Sequence, residues 1–75
     1  MEKFEISVPG MDGLLYFKVL NKETANSEYE VYIEDKLVAV FEPNEEEYIL
    51  ICRNPGGLDE EIIYLIADRI EAYHL

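Results

Sequence analysis

The chain has 75 residues, and its 17 acidic against six basic side chains give it a formal net charge of −11. A chain of this length predicts one small domain, 1–75, which buries only roughly 60% of the surface that its unfolded form exposes. The excess of carboxylates opposes contact with nucleic acid phosphates and with anionic membrane surfaces, so we expect neither as a partner.

Cysteine and histidine usage narrows the chemistry further. Cys52 is the single cysteine and His74 the single histidine, so neither an internal disulfide nor a metal site of several cysteines and histidines can form. A lone unpaired cysteine suits a reducing compartment, and no apolar run is long enough to cross a bilayer. We therefore expect a cytoplasmic protein without a metal or cofactor, stabilised by apolar packing or by a partner chain.

Five segments have the composition and the period of β-strands. Those at about 2–8, 14–20 and 28–34 alternate apolar and polar residues with a period of two. Two more apolar segments, at about 37–42 and 46–52, are rich in β-branched and aromatic residues. Because the joins between neighbouring strands are short and polar, hairpins and an antiparallel meander are favoured.

The last part of the chain changes to the apolar period of a helix. Ile62, Ile66 and Ile70 fall on one stripe, which predicts an amphipathic helix at about 59–74 with Ile66 at the centre of its buried side. Asp59 is placed to cap the first turn. The predicted fold class is α+β: a five-stranded antiparallel β-meander sheet with one C-terminal α-helix packed on one face.

The connection into this helix contains a Gly-Gly pair, which raises the question of a phosphate-binding loop. Such a loop needs exposed backbone N–H groups and a nearby cation, whereas Asp59, Glu60 and Glu61 place three carboxylates at the helix start. Neither glycine-rich nucleotide-binding pattern is present. We interpret Pro55-Gly56-Gly57 as a tight strand-to-helix turn.

No catalytic residue is assigned, and we do not expect an enzyme. A Cys52–His74 dyad is conceivable, but Cys52 belongs to an apolar strand, a setting in which a thiol is unreactive. The run Glu45-Glu46-Glu47 is expected at a solvated hairpin tip, because successive strand side chains alternate faces and cannot converge on one ion. Asp12-Gly13 lacks the remaining ligands of a calcium loop and is interpreted as a turn.

The fourth strand carries apolar side chains on both faces, as does the fifth. Strict alternation places Leu37, Ala39 and Phe41 on one face and Val38 and Val40 on the other. One helix cannot cover both faces, and soluble monomers rarely expose a large second one. We therefore expect two-fold contact with another copy, through a sheet face or an edge strand. The candidate interface residues are Leu14, Tyr16, Tyr32, Val38 and Val40.

Three functional hypotheses follow from these patterns. The first is a small non-enzymatic homodimeric interaction or adaptor module. The second is an acidic inhibitor or antitoxin-like protein that binds a basic site on a partner. The third is a small-ligand carrier or enzyme with a pocket between helix and sheet, although the sequence lacks the convergent polar groups that such a pocket needs.

Overall fold

The computed structural model of the chain describes residues 2–22, 28–43 and 48–73. Within these ranges the strands are β1 (Glu2–Gly10), β2 (Gly13–Asn21), β3 (Tyr29–Ile33), β4 (Lys36–Pro43) and β5 (Ile49–Arg53), and the helix is α1 (Glu60–Tyr73). The acidic run predicted at a hairpin tip, Glu45-Glu46-Glu47, and the histidine of the Cys52–His74 dyad lie outside the described residues.

The five strands form one open sheet in the order β1-β2-β3-β4-β5, and every neighbouring pair is antiparallel. Each strand therefore lies beside the strand that precedes it in the chain, as short polar joins favour. The helix follows the last strand and packs on one face of the sheet. The predicted α+β class, with an antiparallel sheet and one C-terminal helix, is confirmed.

The first hairpin is longer than the strand beside it. β1 and β2 each have nine residues and pair along their whole length, up to Gly10 opposite Gly13. β3 pairs with β2 only between Lys18 and Asn21. Residues 13–17 of β2 consequently extend beyond β3. We call residues 9–16, which comprise the turn and the strand residues beside it, the hairpin end.

An extra residue in β4 interrupts the regular alternation of that strand. Val31 of β3 lies opposite Ala39, and the next residue, Tyr32, lies opposite Leu37, so Val38 has no residue across from it. This is a β-bulge, which locally re-aims the side chains of the bulged strand. Val38 and Ala39 both join the core cluster. The prediction that alternation separates these two residues onto opposite faces is therefore wrong.

The apolar core lies between the sheet and one side of α1. Phe17 and Phe41 from the sheet and Ile66 and Ile70 from the helix are its largest fully buried side chains. The prediction that Ile66 is a core residue is confirmed. The other buried members are Ile6, Val8, Val19, Tyr29, Val31, Val38, Ala39 and Ala67.

Both ends of α1 have defined contacts. The N–H of Ile63 donates to the carbonyl oxygen of Asp59 at 3.0 Å, which places Asp59 at the N-cap, one residue before the first helical residue, Glu60. The predicted helix start is confirmed. At the other end, the ring of Tyr73 stacks on that of Phe4 in β1, with centroids 3.8 Å apart and planes 5° apart.

The helix also contacts both edges of the open sheet. The Nε of Arg69 donates to the backbone carbonyl of Ser7 in β1 at 3.1 Å, and the backbone N–H of Ile49 in β5 donates to Oε1 of Glu71 at 3.2 Å. β1 and β5 are the two outermost strands. The unpaired backbone groups of an edge strand invite association with other chains, so these two side chains protect the edges while they position the helix.

Replacement of Ile66 by alanine tests the core assignment. Ile66 has no exposed surface, so the variant should lose roughly 2–5 kcal/mol of unfolding free energy in urea denaturation. Tyr64 lies on the exposed side of the same helix, and Tyr64→Ala is the matched control, with an expected change below about 1 kcal/mol. Equal losses in the two variants would show that the helix packs by a different side.

Candidate interaction surface

Leu14 and Tyr16 lie at the hairpin end with much of their surface in solvent. Leu14 is 57% exposed and Tyr16 is 64% exposed. Both point to the sheet face opposite α1. Successive side chains of a strand alternate between faces, and Phe17, the residue after Tyr16, faces the core. Met11 at the turn is fully exposed as well. The hairpin end is thus an exposed apolar surface that projects from the sheet.

Charge is nearly absent from this part of the molecule. The twelve residues from Ile6 to Phe17 contain one side chain of the charged types, Asp12, in a chain whose composition is 31% charged. The net charge of −11 therefore belongs almost entirely to other regions. An apolar surface of low charge is the kind of surface that the central part of a protein–protein interface uses.

Tyr32 lies farther along the helix-free face, in a polar cluster. Its hydroxyl donates to Oε1 of Glu30 at 3.0 Å, and Nζ of Lys22 lies 3.2 Å from the other carboxylate oxygen of Glu30. Glu30 is only 8% exposed. A carboxylate buried to this extent needs partners for its charge, and the tyrosine and the lysine supply them. This cluster could not be predicted from the sequence, where its only signal is a glutamate between two core positions of β3.

The tyrosine of this cluster has a shifted ionisation. Partial burial raises the pKa of Tyr32, and Glu30 raises it further by accepting the hydroxyl hydrogen bond and by repelling a phenolate. Lys22 acts in the opposite direction. The pKa of Tyr64 on α1 is also raised, chiefly because its hydroxyl donates to Glu60. The cluster holds Tyr32 as a neutral hydrogen-bond donor.

Val38 and Val40 do not lie on an accessible surface, which corrects their placement among the interface candidates. Val38 is 4% exposed and Val40 has no exposed surface. The bulge turns Val38 into the core, where the connection to the helix covers it. Val40 stays on the helix-free face but lies directly between Glu30 and Arg53. Part of the surplus apolar surface is therefore buried by the chain itself.

The Gly-Gly connection is a closed turn whose amides are already in use. The N–H of Gly56 donates to the carbonyl of Val38, that of Gly57 to the carbonyl of Asn54, and that of Leu58 to the side-chain oxygen of Asn54. The side-chain amide nitrogen of Asn54, Nδ2, in turn donates to the backbone carbonyl of Leu58. A phosphate site needs free N–H groups, so the geometry supports the interpretation of this segment as a structural turn.

Cys52 is exposed, which corrects the expectation that it is sheltered in an apolar strand. Val40 lies opposite Arg53 and Phe41 opposite Ile51, so Cys52 is an extra residue in an edge strand. Within residues 2–22, 28–43 and 48–73, no three cysteine, histidine or acidic side chains lie close enough to hold a metal ion. In the same ranges, no helix has the length and apolarity needed to span a membrane.

Among the open depressions on the surface of the described residues are two with volumes of about 600 Å³ and 580 Å³. The larger lies on the helix-free face, where Lys3 and Lys18 face three carboxylates, and α1 lines neither of the two. The space between helix and sheet is filled by core side chains. The lining of the larger depression is Lys3, Phe4, Glu5, Lys18, Val19, Leu20, Tyr32, Glu34 and Asp35.

Comparisons of the chain with models of protein families, with curated proteins and with solved structures gave no match. The geometry of the described residues therefore carries the functional argument.

The cluster around Glu30 can be tested by tyrosine ionisation. In Glu30→Gln the pKa of Tyr32 should fall, because the repelling carboxylate is gone, while burial continues to hold it above its usual value. NMR of tyrosine labelled with ¹³C at the ring carbon would follow each ring through a pH titration. Tyr64 is the internal control: its pKa should stay unchanged in Glu30→Gln and fall in Glu60→Gln. An unchanged Tyr32 would contradict the assigned contact.

Substitutions of the two glycines of the connection should destabilise the protein for different physical reasons. Gly57 has a φ of 63° with open space around it, whereas a Cβ added at Gly56 would lie 2.6 Å from Cβ of Val38. Gly57→Ala should cost about 1–2 kcal/mol of unfolding free energy, and Gly57→Asn less, because asparagine tolerates a left-handed backbone. Gly56→Asn should be at least as destabilising as Gly56→Ala. Recovery by asparagine at both positions would contradict the contact with Val38.

Proposed function

We propose that the chain is a non-enzymatic, homodimeric interaction module of the cytoplasm, with the hairpin end as its contact surface. The observation that carries the proposal is the coincidence of exposure and low charge at the hairpin end. Met11, Leu14 and Tyr16 are each more than half exposed. Asp12 is the one charged residue of the hairpin end. Exposed apolar patches on small soluble proteins commonly mark association sites.

The distribution of charge supports a second copy as the partner. Two copies that each carry −11 repel one another, and the repulsion is smallest where the charged side chains are farthest from the contact. The hairpin end provides such a contact. Leu14 and Tyr16 would bury a large apolar area in such a contact. The tyrosine would do so with little loss of side-chain entropy. The non-enzymatic part of the proposal rests on composition, since one histidine and one cysteine offer few pairs of a nucleophile with an imidazole base.

A basic partner is a second candidate, and one observation favours it. Asp59, Glu60 and Glu61 at the helix start are all exposed, and the turn between β3 and β4 adds two more carboxylates, Glu34 and Asp35. Such a surface attracts a basic protein over a distance comparable to the Debye length. This binding mode would use a part of the molecule other than the hairpin end.

The two candidates respond to salt in opposite directions. Sedimentation velocity of the purified protein from about 5 to 500 µM, in 50 mM and 500 mM NaCl, should show a dimer whose dissociation constant falls as salt rises. The reason is that salt screens the repulsion between two acidic copies and strengthens apolar burial only slightly at these concentrations. Binding to a basic partner would weaken as salt rises.

Two tyrosine variants locate the contact. Tyr16 is 64% exposed and Tyr64 is 65% exposed, so Tyr16→Lys and Tyr64→Lys change the net charge equally and remove equally exposed rings. Tyr16→Lys should weaken the dimer, whereas Tyr64→Lys should leave it unchanged. A wild-type protein that remains monomeric at every concentration and salt would overturn the proposal.

A further inference from the structure

The contact between α1 and β1 shows which way the backbone of the hairpin end is directed. Arg69 donates to the carbonyl of Ser7, and β1 has β2 as its single neighbouring strand, which indicates that the polar groups of Ser7 point away from β2. Residues opposite one another in an antiparallel pair share this state, and hydrogen-bonded pairs alternate with pairs that are not bonded. Tyr16 lies opposite Ser7, and its backbone N–H and C=O therefore point away from β1.

The same alternation applies two residues farther along the hairpin. Leu14 lies opposite Pro9, and a proline, which has no N–H, is suited to a position that is not bonded within the ladder. The backbone groups of Leu14 consequently point in the same direction as those of Tyr16. On that side β3 begins its pairing only at Lys18. Leu14 and Tyr16 thus direct two N–H and two C=O groups toward a space that no described strand occupies.

This edge differs from the outer edges of the sheet. The edge of β1 has one bond from Arg69, at Ser7, and is interrupted by Pro9, and the edge of β5 has one bond to Glu71, at Ile49. Natural sheets protect their edges by such devices because an open edge pairs with other chains. Among the described residues, the segment 13–16 of β2 has no comparable protection. It is also apolar, uncharged and exposed at Leu14, Leu15 and Tyr16.

We propose that the hairpin end dimerises by strand addition, with the segment 13–15 of β2 pairing antiparallel with the same segment of a second copy. The inference rests on the homodimer proposed above and specifies how it forms. The two sheets would become one, in the order β1-β2-β2-β1 across the contact. A second copy suits this edge because the segment is uncharged, because the pattern of outward groups is complementary to itself, and because each copy supplies equal numbers of donors and acceptors.

Geometry selects the register of this pairing. A two-fold axis normal to the sheet keeps the two faces of each copy on their own sides. Such an axis must lie between one residue and the same residue of the second copy, because an axis between two successive residues would pair side chains from opposite faces. Centred on Leu15, the pairing would bring the second copy's turn against Tyr32, which occupies the place opposite Lys18. Centred on Leu14, it stops short of β3. Leu14 then forms a hydrogen-bonded pair with its own counterpart.

The register centred on Leu14 also fills open space. It places Gly13 opposite Leu15 of the second copy, on the same face of the joined sheet. A Cβ added at Gly13 would have no neighbour within 4 Å, so a leucine side chain can lie over this glycine. On the other face, Leu14 lies opposite Leu14 of the second copy and Tyr16 lies diagonal to that leucine, which gives aliphatic and aromatic cross-strand contacts.

Proline at position 14 tests strand addition separately from side-chain contact. The N–H of Leu14 points away from β1, so Leu14→Pro removes no hydrogen bond within the chain, as Pro9 opposite it shows to be tolerated at this site. Leu14→Ala is the matched control, because it also loses the leucine side chain but keeps the N–H. Leu14→Pro should raise the dissociation constant of the dimer at least about 10-fold above that of Leu14→Ala in sedimentation velocity.

A cross-link provides a second measurement that does not depend on the fold of a proline variant. In a Cys52→Ser background, Leu14→Cys should form a disulfide-linked dimer under mild oxidation, because hydrogen-bonded antiparallel pairs hold their Cα atoms about 5.5 Å apart. Met11→Cys is the control. It is fully exposed, but its counterpart would lie about 20 Å away along the strand, so it should cross-link much more slowly.

The outcomes separate this inference from the proposed function. A wild-type dimer that Leu14→Pro and Leu14→Ala weaken equally, with equal cross-linking at positions 11 and 14, would overturn strand addition and leave the homodimer in place. A wild-type monomer would overturn both. The expected result is a dimer that is lost in Leu14→Pro, kept in part in Leu14→Ala and trapped by Leu14→Cys, with circular dichroism showing that all variants remain folded.

Discussion

The fold depends on a single helix that serves an open sheet at both of its edges. A five-stranded sheet with one helix has two edge strands and only one element available to cover them. Arg69 and Glu71 are two residues apart on α1, yet one bonds β1 and the other bonds β5. Between them, the side chains of Ile66 and Ile70 fill the interior. The same few turns of helix thus contribute apolar side chains to the core and polar side chains that bond one backbone group at each edge of the sheet.

The arrangement explains which edge remains available. Arg69 and Glu71 of α1 bond the two outer strands, whereas the edge of the inner strand β2 is exposed only where β3 ends early. The length difference between the first hairpin and β3 is therefore as important as the helix itself. A hairpin that stopped level with the end of β3 would leave no unpaired segment of β2.

Much of this architecture could be predicted from the sequence, because hydrophobic period and turn composition act locally. The helix start at Asp59 and the central position of Ile66 follow from such local patterns. The bulge at Val38 could not be predicted, since one extra residue in a strand of uniformly apolar residues leaves no trace in the pattern. For the same reason the exposure of Cys52 was missed. One partner of Glu30, Tyr32, is two residues away, and the other, Lys22, follows the end of β2, so only the folded register brings all three together.

The surplus of apolar residues has two different outcomes in this chain. In β4 the chain itself absorbs it, because the bulge turns Val38 inward and the tight connection at Gly56 packs directly on that side chain. In β2 no such element follows, and Leu14 and Tyr16 stay in solvent. The exposed side chains and the outward backbone groups of this segment both favour strand addition. Face packing would cover the side chains and leave four backbone groups to water, whereas an added strand would satisfy the outward groups of Leu14 and bury apolar surface in the same step. The low charge of the hairpin end permits that step between two copies that repel each other elsewhere.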